Sequence, residues 1–205
     1  EKITISKIKK VLFLPSVWLL MVIVMCAYIG YKITDVFSLY ALDVMQYNQV
    51  DSAEVATFLL YLRPLIAIAV ALFAERLKNT SMLVFGFAIS FFGALLFSLG
   101  LITYSKTLFF LISIFILALG VYALRAVYFS VMEKGNIPLP LTGTAVGIVS
   151  LIGYTPDIFT GPLMGYFLDH YKGILGHQYV FGIMAIFSLI GFFTSKVYKS
   201  LYGFK

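Results

Sequence analysis

Five stretches of this chain run for 18 residues or more without a single Asp, Glu, Lys or Arg: Val11–Tyr31, Thr80–Ser105, Thr107–Leu124, Gly135–Pro156 and Gly173–Ser195. A helix needs roughly 17 to 25 predominantly apolar residues to cross the hydrocarbon core of a bilayer. A sixth stretch, Val55–Ala74, carries one charge, Arg63. The expected fold class is therefore all-α: a polytopic membrane protein in which residues 1–205 form one six-helix transmembrane bundle. The predicted spans are roughly 13–42, 54–75, 80–103, 107–132, 141–168 and 177–198.

Composition excludes the water-soluble alternative. Hydrophobic residues make up 61% of the chain and charged residues 12%, against about 25% charged in a soluble domain. Such a chain in water would expose apolar patches and aggregate; lipid removes the conflict. A signal peptide is the competing reading of the first span, because Lys2, Lys7, Lys9 and Lys10 precede it. The apolar run is too long, however, and lacks a small-residue cleavage pattern. The first residue is Glu, so a fragment or a trimmed product is expected. The one cysteine, Cys26, lies in an apolar helix and reads as a small packing residue. With two histidines and no zinc spacing, P-loop or dinucleotide-binding glycine pattern, neither a metal, a cofactor nor an enzymatic activity is expected.

Basic residues set the orientation. The N-terminus, the 2–3 and 4–5 loops and the C-terminus share Lys2, Lys7, Lys9, Lys10, Arg76, Lys78, Lys134, Lys196, Lys199 and Lys205. The opposite side has Lys106 and Lys172, with Asp43, Asp51, Glu54 and Asp169. Excess Lys and Arg mark the cytoplasmic side, so a plasma (inner) membrane protein with both termini cytoplasmic is predicted. The net charge of +6 then faces anionic lipid headgroups and needs no nucleic acid.

A shift of 94 residues lays Phe73-Ala74-Glu75-Arg76-Leu77-Lys78-Asn79 over Phe167-Leu168-Asp169-His170-Tyr171-Lys172-Gly173 and Arg63 over Asp157. The matched segments each close the second helix of a three-helix set. Three spans is an odd number, so the second copy enters from the opposite face: an inverted repeat, with repeat A at about 11–105 and repeat B at about 106–199.

Charges inside the hydrocarbon cost on the order of 2.5–3.5 kcal/mol each on insertion scales and need partners, water or an interface. Tyr28, Tyr31, Lys32 and Asp35 form a polar stripe on span 1 in which Lys32 and Asp35, at i and i+3, can interact. The stripe either lines a cavity or is a local ion pair with Lys32 reaching toward the outer interface. Arg63, followed by Pro64 in the middle of span 2, either faces a pore or is paired with Asp35 or Asp157. Arg125 has Tyr122 and Tyr128 three residues to either side; it suits an anionic or hydroxylated ligand or extends toward the cytoplasm. Asp157, after Pro156 in span 5, is either a proton carrier or a permanent counter-ion. Three cations against two acids make a mildly positive cavity and an organic anion its natural guest.

Span 5 is rich in small residues. Gly143 and Gly147, and again Gly161 and Gly165, are four apart and clear a helix face for close packing. Pro156 and Pro162 interrupt its regularity, so this span either takes part in gating or has the Gly and Pro common in membrane helices. Glu75 and Arg76 sit in a charged turn that can bridge helix ends. His170 and His177 flank an outward loop and read as surface residues, and Trp18 as an interfacial anchor.

These features resemble the C-terminal six-helix half of a major facilitator superfamily (MFS) transporter. Ala71-Leu72-Phe73-Ala74-Glu75-Arg76-Leu77-Lys78-Asn79 is similar to the family's charged loop motif, with Glu75 and Arg76 in the key positions. Gly161-Pro162-Leu163-Met164-Gly165 followed by Asp169 resembles the pattern of its eleventh helix. Leu124-Arg125-Ala126-Val127-Tyr128 and Leu141-Thr142-Gly143-Thr144-Ala145-Val146-Gly147 are similar to a subgroup of bacterial permeases. The resemblance implies a path between two halves, lined here by spans 1, 2, 4 and 5. The intramembrane charges fall on those spans and never on 3 or 6. It also implies a partner, the missing N-terminal six-helix half, upstream in the same polypeptide or supplied by a second copy. The expected function is secondary active transport of a small, polar, anionic organic solute by alternating access, coupled to protons as a symport. A facilitator or channel, and a non-transporting subunit or receptor, are the alternatives.

Overall fold

A computed structural model describes residues 4–74 and 78–203 of the chain. Six segments among them are long and apolar enough to cross a membrane: Pro15–Asp43, Gln49–Phe73, Asn79–Ser98, Thr107–Val127, Leu139–His170 and Ile174–Tyr202. They are the six spans expected, with ends moved by local chemistry. Span 2 starts at Gln49 because the Asn48 side-chain oxygen accepts the N–H groups of Val50 and Asp51, both at 2.9 Å. Span 4 ends as a regular helix at Val127 and tightens into turns and a 3-10 segment, Met132–Gly135, before Asn136 adopts a left-handed conformation, φ 55°. Span 6 begins at Ile174, directly after Gly173 turns the chain at φ 66°.

Two spans are discontinuous. In span 1 a 3-10 turn, Thr34–Val36, separates helices Pro15–Ile33 and Phe37–Asp43. In span 5 a turn at 154–155 separates Thr142–Gly153 from Pro156–His170. Pro156 has no N–H to offer the preceding turn and starts the second helix well. Pro64 sits inside an unbroken helix.

Spans 3 and 6 pack along each other; span 3 also packs on span 4, and span 1 on span 6. Span 1 contacts both pieces of span 5, and span 2 packs on span 4. Small residues allow the close approaches. A Cβ on Gly120 would meet Ser90 Oγ at 2.7 Å and the Gly86 carbonyl at 2.9 Å, and one on Gly93 would meet Leu117 at 3.0 Å. Gly191 accommodates the Phe87 ring. The core between spans 1, 3, 4 and 6 is aromatic, with Phe97 5.1 Å from Phe37 and 4.7 Å from Phe181 by ring centroids.

Two expectations are corrected. A Cβ on Gly143, Gly147, Gly161 or Gly165 would meet no neighbour within 4 Å, so these glycines clear no helix contact inside this bundle. The tight glycines include Gly86 and Gly93 of span 3, Gly120 of span 4 and Gly191 of span 6, and in span 5 only Gly153 at the break, where a Cβ would run into Val24 of span 1. Over an 18-residue apolar stretch, 28% of the residues of span 5 are buried, as in span 2, against 61% in span 1. His177 is not a surface residue: it is 0% exposed, and its Nε2 lies 3.1 Å from Asp43 Oδ2. Span 6 starts earlier than its hydropathy suggests, which carries His177 one turn into the packed helix, against the Tyr40 ring at 5.1 Å.

Candidate functional site

The break in span 5 places Asp157 in the first turn of a helix, where its carboxylate complements the partial positive charge of the N-terminus. It faces span 1. Lys32 Nζ lies 3.3 Å from Asp157 Oδ1, and the Tyr28 hydroxyl donates to Oδ2 at 2.9 Å. Lys32 and Asp35 therefore do not pair with each other. Lys32 reaches span 5, while Asp35, displaced by the 3-10 turn, accepts from Arg63 Nη2 of span 2 at 3.1 Å. Each of these four charges finds its opposite on a neighbouring helix.

Arg63 is committed at all three nitrogens. Besides Asp35, its Nη1 donates to the Tyr31 hydroxyl at 2.8 Å and its Nε to the Tyr122 hydroxyl at 3.4 Å. Tyr122, from span 4, is buried. The guanidinium thus links spans 1, 2 and 4, and of the two partners considered for it the structure selects Asp35.

Arg125 is held differently. It is not sandwiched by Tyr122 and Tyr128, as its sequence neighbours suggested: Tyr122 turns to Arg63, and the Tyr128 hydroxyl bonds the Tyr154 hydroxyl of span 5 at 3.1 Å. Arg125 instead lies over rings of span 1, its Cζ 3.9 Å from the Tyr31 centroid and 5.5 Å from that of Tyr28. A cation over a phenol ring is attracted by the ring quadrupole. Tyr154 also contacts the Tyr28 ring at 4.7 Å. The contacts close into a circuit through spans 1, 2, 4 and 5, with Tyr31 at its hub.

The sequence named Tyr31 only as a member of the stripe and Tyr128 only as a neighbour of Arg125. Helical spacing gave the signal, since Tyr28, Tyr31, Lys32 and Asp35 share a face, but not the partners. Between the two arginines lies a hollow of about 190 Å³ lined by Tyr31, Arg63, Ala67, Tyr122, Arg125 and Ala126. The two alanines leave it room. Lys32 and Asp157 side chains are 29% and 50% exposed, as are those of Arg63 and Asp35, so the circuit opens onto an uncovered face of the bundle. Pro162, Gly161 and Gly147 are exposed on span 5, and Pro156 is buried at its break. Glu75 and Arg76 lie outside the described residues. Among the described residues no three His, Cys, Asp or Glu side chains gather where they could hold a metal ion.

No protein-family model matches the chain. It is similar to inner membrane protein YihN of Escherichia coli (strain K12), 44% identical over 71 residues, which cover 35% of this chain and 17% of that protein. It is also similar to inner membrane protein YqcE of the same strain, 38% identical over 56 residues, covering 27% of this chain and 13% of that protein. The matched stretches are thus a minor part of either relative. The chain is an all-α, six-span polytopic membrane protein related to two inner membrane proteins of Escherichia coli.

Proposed function

We propose that this chain is one six-helix half of an inner-membrane secondary transporter that carries a small, polar, anionic organic solute by alternating access. The observation that carries the reading is the charged circuit: Lys32–Asp157 and Arg63–Asp35 pair across spans 1, 2 and 5, and Arg63 and, from span 4, Arg125 line one hollow. An isolated structural ion pair would need neither four helices nor an opening.

The balance of charge supports an anion. Lys32, Arg63 and Arg125 face Asp35 and Asp157, leaving one positive charge in excess. Partly exposed ion pairs contribute about 0.2–1 kcal/mol, so they exchange partners readily as helices move. Asp35 and Asp157 are the candidate proton carriers for coupling.

The packing supports two inverted three-helix repeats of an MFS-type half. Exchanging spans 1 and 4, 2 and 5, and 3 and 6 carries the 1–5 pairing onto 4–2 and the 1–6 pairing onto 4–3, and returns 3–6 to itself. The uncovered faces of spans 2 and 5, including Gly143, Gly147, Gly161 and Gly165, suit close contact with a second six-helix bundle. The excess of Lys and Arg in the loops on the side of the termini supports a cytoplasmic location for both termini.

The test is uptake by the full-length protein in liposomes from a panel of labelled organic acids. The reading requires saturable uptake of at least one anion, with exchange against unlabelled solute inside. Uptake that never saturates and shows no exchange would favour a channel, and retention of flux after Arg63→Ala and Arg125→Ala would remove the site.

A further inference from the structure

The two arginines that flank the hollow are in different chemical states. A guanidinium carries five N–H donors in a planar fork. Arg63 spends donors from each of its three nitrogens on Tyr31, Tyr122 and Asp35. Arg125 is held by ring faces alone, 3.9 Å from Tyr31 and 5.5 Å from Tyr28. Among the described residues no carboxylate or other acceptor lies within bonding distance of it. A ring face attracts a cation without accepting its N–H groups. The fork of Arg125 is therefore positioned and still open to donate two parallel hydrogen bonds to one anionic head group.

We infer that Arg125 is the docking residue for the anionic group of the solute, that Arg63 is a positioning residue tying spans 1, 2 and 4 together, and that the solute is a monoanion. The inference rests on the transport reading for calling its ligand the solute. Monovalence follows from the circuit: with Asp35 and Asp157 each held by a cation, Arg125 supplies the one uncompensated charge. The second charge of a dianion would find no further uncompensated cation among the described intramembrane residues, since Lys32 and Arg63 are already paired with Asp157 and Asp35. Tyr31 has a double role. Its ring seats Arg125 and its hydroxyl accepts from Arg63, so docking at one arginine bears on the span 1–span 2 tie through a single side chain. Ala126, exposed and lining the hollow, is the specificity residue: its methyl group leaves the space in which the head group would sit.

Phenylglyoxal, which modifies arginines whose N–H groups are free, reads this difference when full-length protein is labelled and its peptides are analysed by mass spectrometry. Arg125 is expected to react at least about fivefold faster than Arg63, the factor for releasing one hydrogen bond. Glycerol, glycerate and tartronate share a three-carbon skeleton and carry no, one and two carboxylates. Glycerate is expected to slow modification of Arg125, tartronate less so, and glycerol not at all. Ala126→Leu is expected to abolish the glycerate effect while Arg125 stays reactive. Equal reactivity of the two arginines, no protection by glycerate, or stronger protection by tartronate would each overturn the inference. Anion uptake that survives Arg125→Gln would overturn it too and leave the transport reading standing. Protection without uptake in liposomes would support it and remove the transport reading.

Discussion

Lys32 of span 1 and Asp157 of span 5 meet at 3.3 Å, and Tyr28, one turn before Lys32, takes the other carboxylate oxygen at 2.9 Å. Asp157 is thus gripped by two side chains of one helix face, at the point where its own helix restarts. Both partners remain partly exposed. The contact joins two spans firmly enough to define a state and weakly enough to break.

Neutralising either partner leaves the other charge unmatched at membrane depth. Lys32→Met and Asp157→Asn are each expected to lower the melting temperature of purified protein, by the equivalent of about 0.2–1 kcal/mol, the range for a partly exposed ion pair. The exchanged pair, Lys32→Asp with Asp157→Lys, is expected to recover at least half of that loss. Additive losses in the double variant would contradict the pairing.

Distances rank the two tyrosines that serve Arg63. Tyr31 accepts at 2.8 Å and Tyr122 at 3.4 Å, and a hydrogen bond to a charged group contributes about 1.5–3 kcal/mol when well formed. Tyr31→Phe is therefore expected to destabilise more than Tyr122→Phe, measured by thermal unfolding in one detergent. The reverse order would contradict the assigned geometry.

Glycines separate the packed face from the open one. Gly120→Ala drives a methyl group into Ser90 and the backbone of Gly86, and overpacking costs about 1–3 kcal/mol. Gly147→Ala meets nothing and gains up to about 1 kcal/mol of helix propensity. Folded yield after expression is expected to fall for the first and hold for the second. Uptake is nevertheless expected to fall with Gly147→Leu if span 5 seats against a second bundle.

His177 links spans 1 and 6 through Asp43 while its ring lies on Tyr40. His177→Phe keeps the ring contact and loses the polar one; His177→Ala loses both. The alanine variant is expected to be the less stable by about 1–2 kcal/mol, because it adds a cavity to the lost contact. Equal melting temperatures would mean that the ring does not pack as described.

The six spans were legible because lipid selects for length and apolarity, which are properties of a window and need no partner. The membership of the charged site was legible for a related reason: an ion in hydrocarbon is conspicuous wherever it falls. Its pairing was not. Lys32 and Asp35 are compatible at i and i+3, but a 3-10 turn and two neighbouring helices redirected them to Asp157 and Arg63. Arg125 looked bracketed by Tyr122 and Tyr128, yet each phenol faces another span. Glycine spacing marked span 5 as tightly packed, when the faces it clears lie outside this bundle. Such contacts depend on which helices adjoin, and periodicity along one helix does not carry that.

Transport through this bundle requires that the circuit line a water-filled path. Cysteines placed singly at Ala67 and Ala126, in full-length protein with Cys26→Ser, test it by reaction with a membrane-impermeant maleimide in intact membranes, with Ile186→Cys on span 6 as the reference. Labelling is predicted at Ala67 and Ala126, slowed by a transported anion, and none at Ile186. Failure of both circuit positions to react, while a membrane-soluble maleimide labels all three, would contradict it.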